Sequence, residues 1–551
     1  MTSPSAAVSL PRDPVDAIVV GSGAAGSNMA ARLAEGGKRV LILEAGPARS
    51  PTDLISSTLY ARRIKWTGPP VLEDGTDPIG FVFNAAFGTG GAAMHHYAVW
   101  PRLHAEDFDM RSRHDRGLDW PLGYTDLAPY YDQIQQEAGV SGDAAKEIWR
   151  PAGAPYPMPG VPVFPQGTAI ARGFAKLGKS VAPLPLAVTT TNYQGRARCL
   201  WDGWCDSGCP IGALANPLTI HLPRAASAGA QLVNDAAVTR ILTSDDGTRA
   251  IGVEVAMKEG SRQTVHAKLV VLAAFAVENP RLLLASANSK HPQGLGNSGG
   301  LVGRYIMTHA AGLVYGLFDE ETRPYMGAFG GQLVNQDSYP KTTHQASGAF
   351  GSYQWMIAQA VKPNDLLGIS TTRADLFGRA LHEFMKRATR GFAGMTAVVE
   401  GLPVADNRVT LSDQKDIHGV PIARVTHDRH PESVSLWKAS LAEGKAVMTA
   451  AGAREVWTGP PGSMHIMGGT IMGTSAASSV TNSYGQVHDI PNLVVAGPGL
   501  FPTSGGVNPT FTVHALVARS AARLLADWKQ VAGCHEPESR SRNPQSMSFA
   551  L

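Results

Sequence analysis

The stretch VDAIVVGSGAAGSNMAARLAEGGKRVLILEAGP, Val15 to Pro47, decides how this chain is built. It opens with an apolar run, Ala17–Val20, whose β-branched residues read as a buried parallel strand. Gly21-Ser22-Gly23-Ala24-Ala25-Gly26 follows directly, then a helical stretch rich in Ala, Met and Leu. A second apolar run, Val40–Leu43, ends on Glu44 and Ala45. Each glycine has its own physical reason. The first allows a tight strand-to-helix turn, the second lets backbone approach a pyrophosphate, and the third lets helix and strand pack closely. The pyrophosphate would rest on the helix start at Ala24 and Ala25, where free N–H groups and the dipole favour negative charge. Glu44 stands where a carboxylate meets ribose hydroxyls, which disfavours a 2′-phosphate. The unit predicts a dinucleotide site on a Rossmann-like, doubly wound α/β domain; alone it does not separate NAD from FAD.

The remaining composition excludes other classes. Basic and acidic residues nearly balance at 48 and 45 over 551 residues, so no nucleic-acid footprint is present. No run of apolar residues is long enough to span a bilayer. The N-terminal MTSPSAAVSLPRDPVD lacks a basic n-region followed by an apolar h-region, so no secretory signal is expected. Four cysteines in this length are not a disulfide framework; three of them, Cys199, Cys205 and Cys209, cluster, and Cys534 reads as incidental.

Downstream lie Gly88-Thr89-Gly90-Gly91-Ala92-Ala93-Met94-His95-His96, then Arg102 with Asp107-Phe108, then Asp119-Trp120-Pro121-Leu122-Gly123-Tyr124. A helix is expected over Asp126–Ala138, capped by Thr125 or Asp126. Gln231–Val238 and Ala250–Val255 read as paired strands around Asp245-Asp246-Gly247. Alternating segments from Gly312 to Thr426 predict an antiparallel sheet. These stretches, with Leu301-Val302-Gly303-Arg304-Tyr305-Ile306-Met307-Thr308-His309 and Ser463–Leu525, resemble the glucose–methanol–choline (GMC) oxidoreductases. Within that family they resemble the large subunits of gluconate 2-dehydrogenase, fructose dehydrogenase, FAD-dependent glucose dehydrogenase and glucoside 3-dehydrogenase. The resemblance implies FAD and an α/β fold whose FAD domain (15–110, 190–310 and 460–530) interleaves with an antiparallel-sheet, α+β substrate domain (111–189 and 311–459). Residues 1–14 are expected to be disordered and 531–551 to form a tail. The resemblance also implies Gly90, Gly91, Val238, Gly497, Pro509 and Thr510 as cofactor contacts. It aligns His95 with a histidine that in some relatives bonds covalently to the flavin and in others only packs beside it.

Met464-His465-Ile466 and Gly506-Val507-Asn508-Pro509 carry the chemistry. Oxidising an alcohol removes a hydride from carbon and a proton from oxygen, and neutral histidine is a suitable base. A second polar group must hold the oxygen. In the GMC family a His paired with a His or Asn does this work, and His465 and Asn508 occupy those places. Relatives often read H-x-x-G-T-x-R-M-G where this chain has Gly469 and Ile471. His309, His418 and His514 read as packed histidines. The long helix Thr510–Ala526 is expected to start behind Pro509.

Cys199, Cys205 and Cys209 show C-x5-C-x3-C-P spacing, which suits thiolate ligands of a three-iron cluster, [3Fe–4S], as in the resembling dehydrogenase subunits. Buried thiols or a local disulfide are the alternative, and zinc is weaker because no fourth ligand lies nearby. The expected function is an FAD-dependent dehydrogenase of a sugar, sugar acid or glycoside hydroxyl, with electrons leaving through the cluster. A peroxide-forming oxidase, a non-redox lyase and a non-catalytic dinucleotide-binding subunit are the competing readings. The resemblance admits a small subunit and a cytochrome c-type acceptor as partners. It leaves the location open between the cytoplasm and a periplasm reached with a signal-bearing partner.

Overall fold

A computed structural model describes residues 10–65, 67–80 and 85–533. Most of the expected disordered segment 1–14, the tail from 534 on and Cys534 lie outside the described residues. Val15–Val20 forms a strand flanked in parallel by Val40–Leu43 and Arg262–Leu272. Gln231–Val233 and Ile490–Val495 extend the parallel sheet on its two sides. Ala17, Ile18 and Val19 are fully buried, as an all-apolar strand covered on both faces must be. Register brings the carboxyl ends together: Val20 stands beside Leu43 and Leu272, and Leu272 beside Val495. Ligands of open α/β sheets bind just beyond such ends.

The helix Ala24–Glu35 leaves this edge and packs on Thr510–Ala526, where Asn28 Nδ2 donates to the His514 carbonyl at 3.1 Å. Arg262–Leu272 serves two sheets. Its first half pairs antiparallel with Ala250–Met257, its second half runs parallel to Val15–Val20.

A second, seven-stranded sheet has Met307–Leu317, Phe392–Val399, Tyr353–Ile357 and Leu333–Asn335 as antiparallel neighbours. Gly462–Met467 joins it by pairing with Met307–Leu317, across the boundary expected at 460. Arg408–Lys415 and Pro421–Thr426 form a hairpin that adds Val71–Asp74 in parallel. The architecture is thus mixed α/β: a parallel dinucleotide-type sheet beside an antiparallel one.

Two local expectations need correction. The helix expected from Asp126 begins at Tyr124, with Gly123 as its cap; Asp126 instead accepts the Gly123 N–H at 2.8 Å. The strand expected over Gln231–Val238 is two strands, Gln231–Val233 in the parallel sheet and Ala236–Thr243 paired with Ala250–Met257. Asp235, at φ 53°, turns the chain between them, a conformation Asp tolerates better than most residues.

Candidate active site

A cavity of about 1360 Å³ opens at the carboxyl edge of the parallel sheet and runs to the antiparallel one. Its wall includes Gly21, Gly23, Ala24, Ala25, Glu44 and Ala45 from the Val15–Pro47 unit, and Gly91, His95, Val238 and Gly497 from later segments. His465, Asn508, Pro509 and Thr510 complete it. Gly26 and Gly90, also expected as cofactor contacts, are not among the residues that line it.

The turn meets the three glycine roles. Gly21 has φ +97°, and a Cβ there would lie 2.6 Å from the Ala273 carbonyl oxygen. A Cβ on Gly26 would lie 2.0 Å from the Gly21 carbonyl oxygen, whereas one on Gly23 would meet nothing nearer than 3.8 Å. The free space at Gly23 is what a diphosphate path requires. Gly23 caps Ala24–Glu35 and Pro509 caps Thr510–Ala526, neither with a side-chain hydrogen bond, so both helix starts keep N–H groups for an anionic group. Gly90, at φ +89°, donates its N–H to Ser22 Oγ at 3.0 Å and holds the 88–91 loop against the turn.

Glu44 is buried and fully engaged. Its carboxylate accepts from Ser22 N–H (3.0 Å), Ser22 Oγ–H (2.6 Å), Gly46 N–H (3.0 Å) and Gly88 N–H (3.0 Å). The ribose contact expected of it therefore competes with an internal clamp on three loops.

At the other end His465 lies on Gly462–Met467, where the ladder slips between Met464 and Met467 and His465 takes φ +58°. A bulge of this kind re-aims a side chain. His465 Nε2 is 3.1 Å from Asn508 Nδ2, and its Nδ1 is 2.9 Å from His309 Nδ1. His309 Nε2 stands 2.8 Å from the Gly505 carbonyl. Donor and acceptor roles follow from that end: a carbonyl only accepts, so His309 Nε2 carries a proton, and neutral His309 presents Nδ1 as an acceptor. His465 then donates from Nδ1 and keeps its Nε2 lone pair, facing the Asn508 amide. The chain continues as Gln354 Nε2 to Asn508 Oδ1 (2.8 Å), Gln336 Nε2 to Gln354 Oε1 (3.0 Å) and His104 Nε2 to Gln336 Oε1 (3.1 Å). Burial holds His465 well below the ordinary histidine range, with His309 adding to the effect, and burial pulls His309 down to about 4.

His309, expected to be only a packed histidine, is thus brought against His465. Its signal was weak in sequence, because nothing local marks a histidine whose partner is 156 residues away. Gln354 carried no signal at all. His95 is nearly fully buried on the cavity wall; its Nε2 has no hydrogen-bond partner, and burial lowers it to about 3.

The cysteines lie elsewhere, in an apolar cluster that reaches the cavity through Tyr97, Phe329 and Met464. Cys199, Cys205 and Cys209 are free thiols, so the disulfide alternative is not realised. Burial pushes Cys199 up to about 12 and raises the other two. Trp201 N–H and Leu214 N–H donate to Cys199 Sγ and Cys209 Sγ at 3.4 and 3.3 Å. Among the described residues no three His, Cys, Asp or Glu side chains are grouped to hold a metal ion, so this arrangement lends the expected cluster no support.

A dinucleotide cradle that shares one cavity with a neutral histidine and an amide defines the class, a dinucleotide-dependent oxidoreductase. The chain belongs to the GMC oxidoreductase family: the family's N-terminal sequence model matches residues 15–311 and its C-terminal model residues 403–516. Accordingly it is an FAD enzyme acting on CH–OH groups. It is 32% identical to a 2-methyl-1,2-propanediol dehydrogenase of Mycolicibacterium austroafricanum, over 92% of this chain and 94% of that one. It is 31% identical to a fructose dehydrogenase large subunit of Gluconobacter japonicus, over 94% and 98%. The fold is also that of a formate oxidase of Aspergillus oryzae (TM-score 0.65, 15% identity, 94% of this chain and 99% of that one). A pyridoxine 4-oxidase of Mesorbium loti is similar (TM-score 0.62, 18% identity, 92% and 98%). No helix among the described residues is long and apolar enough to cross a membrane.

Proposed function

We propose that the protein is an FAD-dependent dehydrogenase in which His465 is the base and Asn508 orients the alcohol. Gly21, Gly23 and Gly91 with the open start of Ala24–Glu35 would hold the diphosphate, and the open start of Thr510–Ala526 would face the flavin's pyrimidine end. Glu44 would meet the ribose by giving up one of its four internal hydrogen bonds. FAD, when bound, supplies the hydride acceptor. The observation that carries the reading is the polarised chain from the Gly505 carbonyl through His309, which leaves the His465 Nε2 lone pair beside Asn508. A hydroxyl entering there gives its proton to Nε2 while an Asn508 N–H holds its oxygen, and His309 keeps the His465 ring in the tautomer that can accept. His309 is a positioning residue.

Dehydrogenase is favoured over oxidase by the two relatives above, both named as dehydrogenases. Relatives named as oxidases, such as paromamine 6′-oxidase of Streptomyces fradiae, keep the alternative in the test. Substrate-reduced protein mixed with oxygen or with a one-electron dye should prefer the dye; rapid peroxide formation at the wild-type turnover rate would make it an oxidase. The relative named as a large subunit supports a partner subunit for this chain. An iron–sulfur exit on Cys199, Cys205 and Cys209 rests on their C-x5-C-x3-C-P spacing alone. Iron and acid-labile sulfide counted in anaerobically purified protein decide it, and protein with neither loses that exit. His95, with its unpartnered nitrogen, is where a flavin tether would form; FAD released into the supernatant on acid precipitation excludes the bond.

A further inference from the structure

Beyond His465 the cavity is walled by one face of the antiparallel sheet. Leu313 and Tyr315 alternate on Met307–Leu317, Phe392 continues that face on the next strand, and Met356 stands across from Thr396. Val361 and Ile369 close the wall from the segment that follows Ile357. The polar groups set among these are the Tyr315 hydroxyl and the side chains of Thr396 and Gln359, the latter two bonded to one another through the threonine hydroxyl and the glutamine oxygen. Two of the charged side chains on the cavity wall are engaged: Lys65 pairs with Asp206 at 2.7 Å, and Asp365 accepts the Lys362 N–H at 2.9 Å.

A sugar carries a hydroxyl on nearly every carbon, and each one taken out of water needs a hydrogen-bond partner or disfavours binding. This wall offers few. It offers aliphatic and aromatic surface, which favours an apolar body. We propose that the substrate is an alcohol with an extended apolar body, alkyl, aryl or alicyclic, that presents one hydroxyl to His465 and Asn508, and that it is not a sugar, sugar acid or glycoside. The inference rests on the reading of His465 and Asn508 given above.

The test is anaerobic stopped-flow reduction of the FAD-loaded enzyme. One arm uses primary and secondary alkanols of rising chain length with cyclohexanol and benzyl alcohol; the other uses glucose, fructose, gluconate and methyl glucoside. Reduction efficiency should rise by about fourfold per added methylene until the pocket is full, and the sugars should fall far below the best alcohol. Ile369→Asn and Leu313→Asn should each flatten the chain-length dependence, with flavin content confirming that the variants fold. Sugars reducing the flavin as efficiently as the best alkanol would overturn the substrate class and leave the His465 reading standing. A fully flavinated enzyme that neither arm reduces would overturn the oxidation reading and this inference with it.

Discussion

His465 occupies a left-handed backbone conformation that few non-glycine residues adopt, and the slipped ladder around it is what holds it there. Strain kept at a cavity wall is consistent with a side chain aimed for chemistry. His465→Ala should retain FAD and lose roughly 10²–10⁴-fold in the rate of flavin reduction, the usual contribution of a positioned base. Asn508→Ala should also lose rate, and the double variant should lose less than the product of the two, because both groups act on one oxygen. His309→Ala should slow reduction, whereas His309→Gln, whose carbonyl can still accept from His465 Nδ1, should recover part of the rate. Equal rates in these two variants would show that His309 only fills space. The pH profile has a definite sign. Burial keeps His465 neutral where a free histidine, near about 6.5, takes up a proton. Flavin reduction should therefore stay level as pH falls through that value and drop only below it. The unfolded chain binds the proton first, so the stability from these neutral histidines is complete above about 6.5 and declines as pH falls below it.

The strand–turn–helix element makes separable demands at two glycines. Gly23 has φ −68° and open space around its missing Cβ, so Gly23→Val should fold and yet lack FAD, because its side chain would enter the diphosphate path. Gly26 faces the Gly21 carbonyl oxygen, and Gly26→Ala should destabilise the protein itself by about 1–3 kcal/mol, typical of overpacking. Thermal unfolding and flavin absorbance separate the two. A flavin-replete Gly23→Val protein would remove the diphosphate from this turn. The second glycine loop acts on the same element, since Gly90 and Gly88 bond to Ser22 and to the Ser22 partner Glu44.

At the scale of the molecule, a fully buried ion cluster ties distant segments to the site. Lys341 Nζ lies 2.5 Å from Asp107 and 2.7 Å from Glu400. Tyr339 OH donates to Asp107 at 2.7 Å and accepts the Gly506 N–H at 3.2 Å. Burial alone would lower the Lys341 ammonium, but the two carboxylates more than reverse this and hold it above its ordinary value. Gly505 and Gly506, beside this cluster, lead directly into Asn508, and the Gly505 carbonyl is the anchor of His309. Lys341→Met would leave two buried carboxylates without their cation and should cost about 3–5 kcal/mol. Denaturant unfolding measures this, and a loss below 1 kcal/mol would mean the carboxylates had simply taken up protons.

The Val15–Pro47 unit, its glycines and the helix Thr510–Ala526 were legible before any coordinates, because backbone sterics and hydrophobic period act within a few residues. His465 and Asn508 were legible through motif and resemblance, and the cavity brings the two into contact. The division of Gln231–Val238 between two sheets was not legible, since both halves have strand-like composition and only their partners differ. Nor was the His309–His465 pair. It depends on Met464 standing opposite His309 and on a bulge one residue later, a matter of register between strands far apart in the chain. The buried lysine looked in sequence like any surface charge. Local pattern sets which elements form, but long-range register and packing determine which side chains meet.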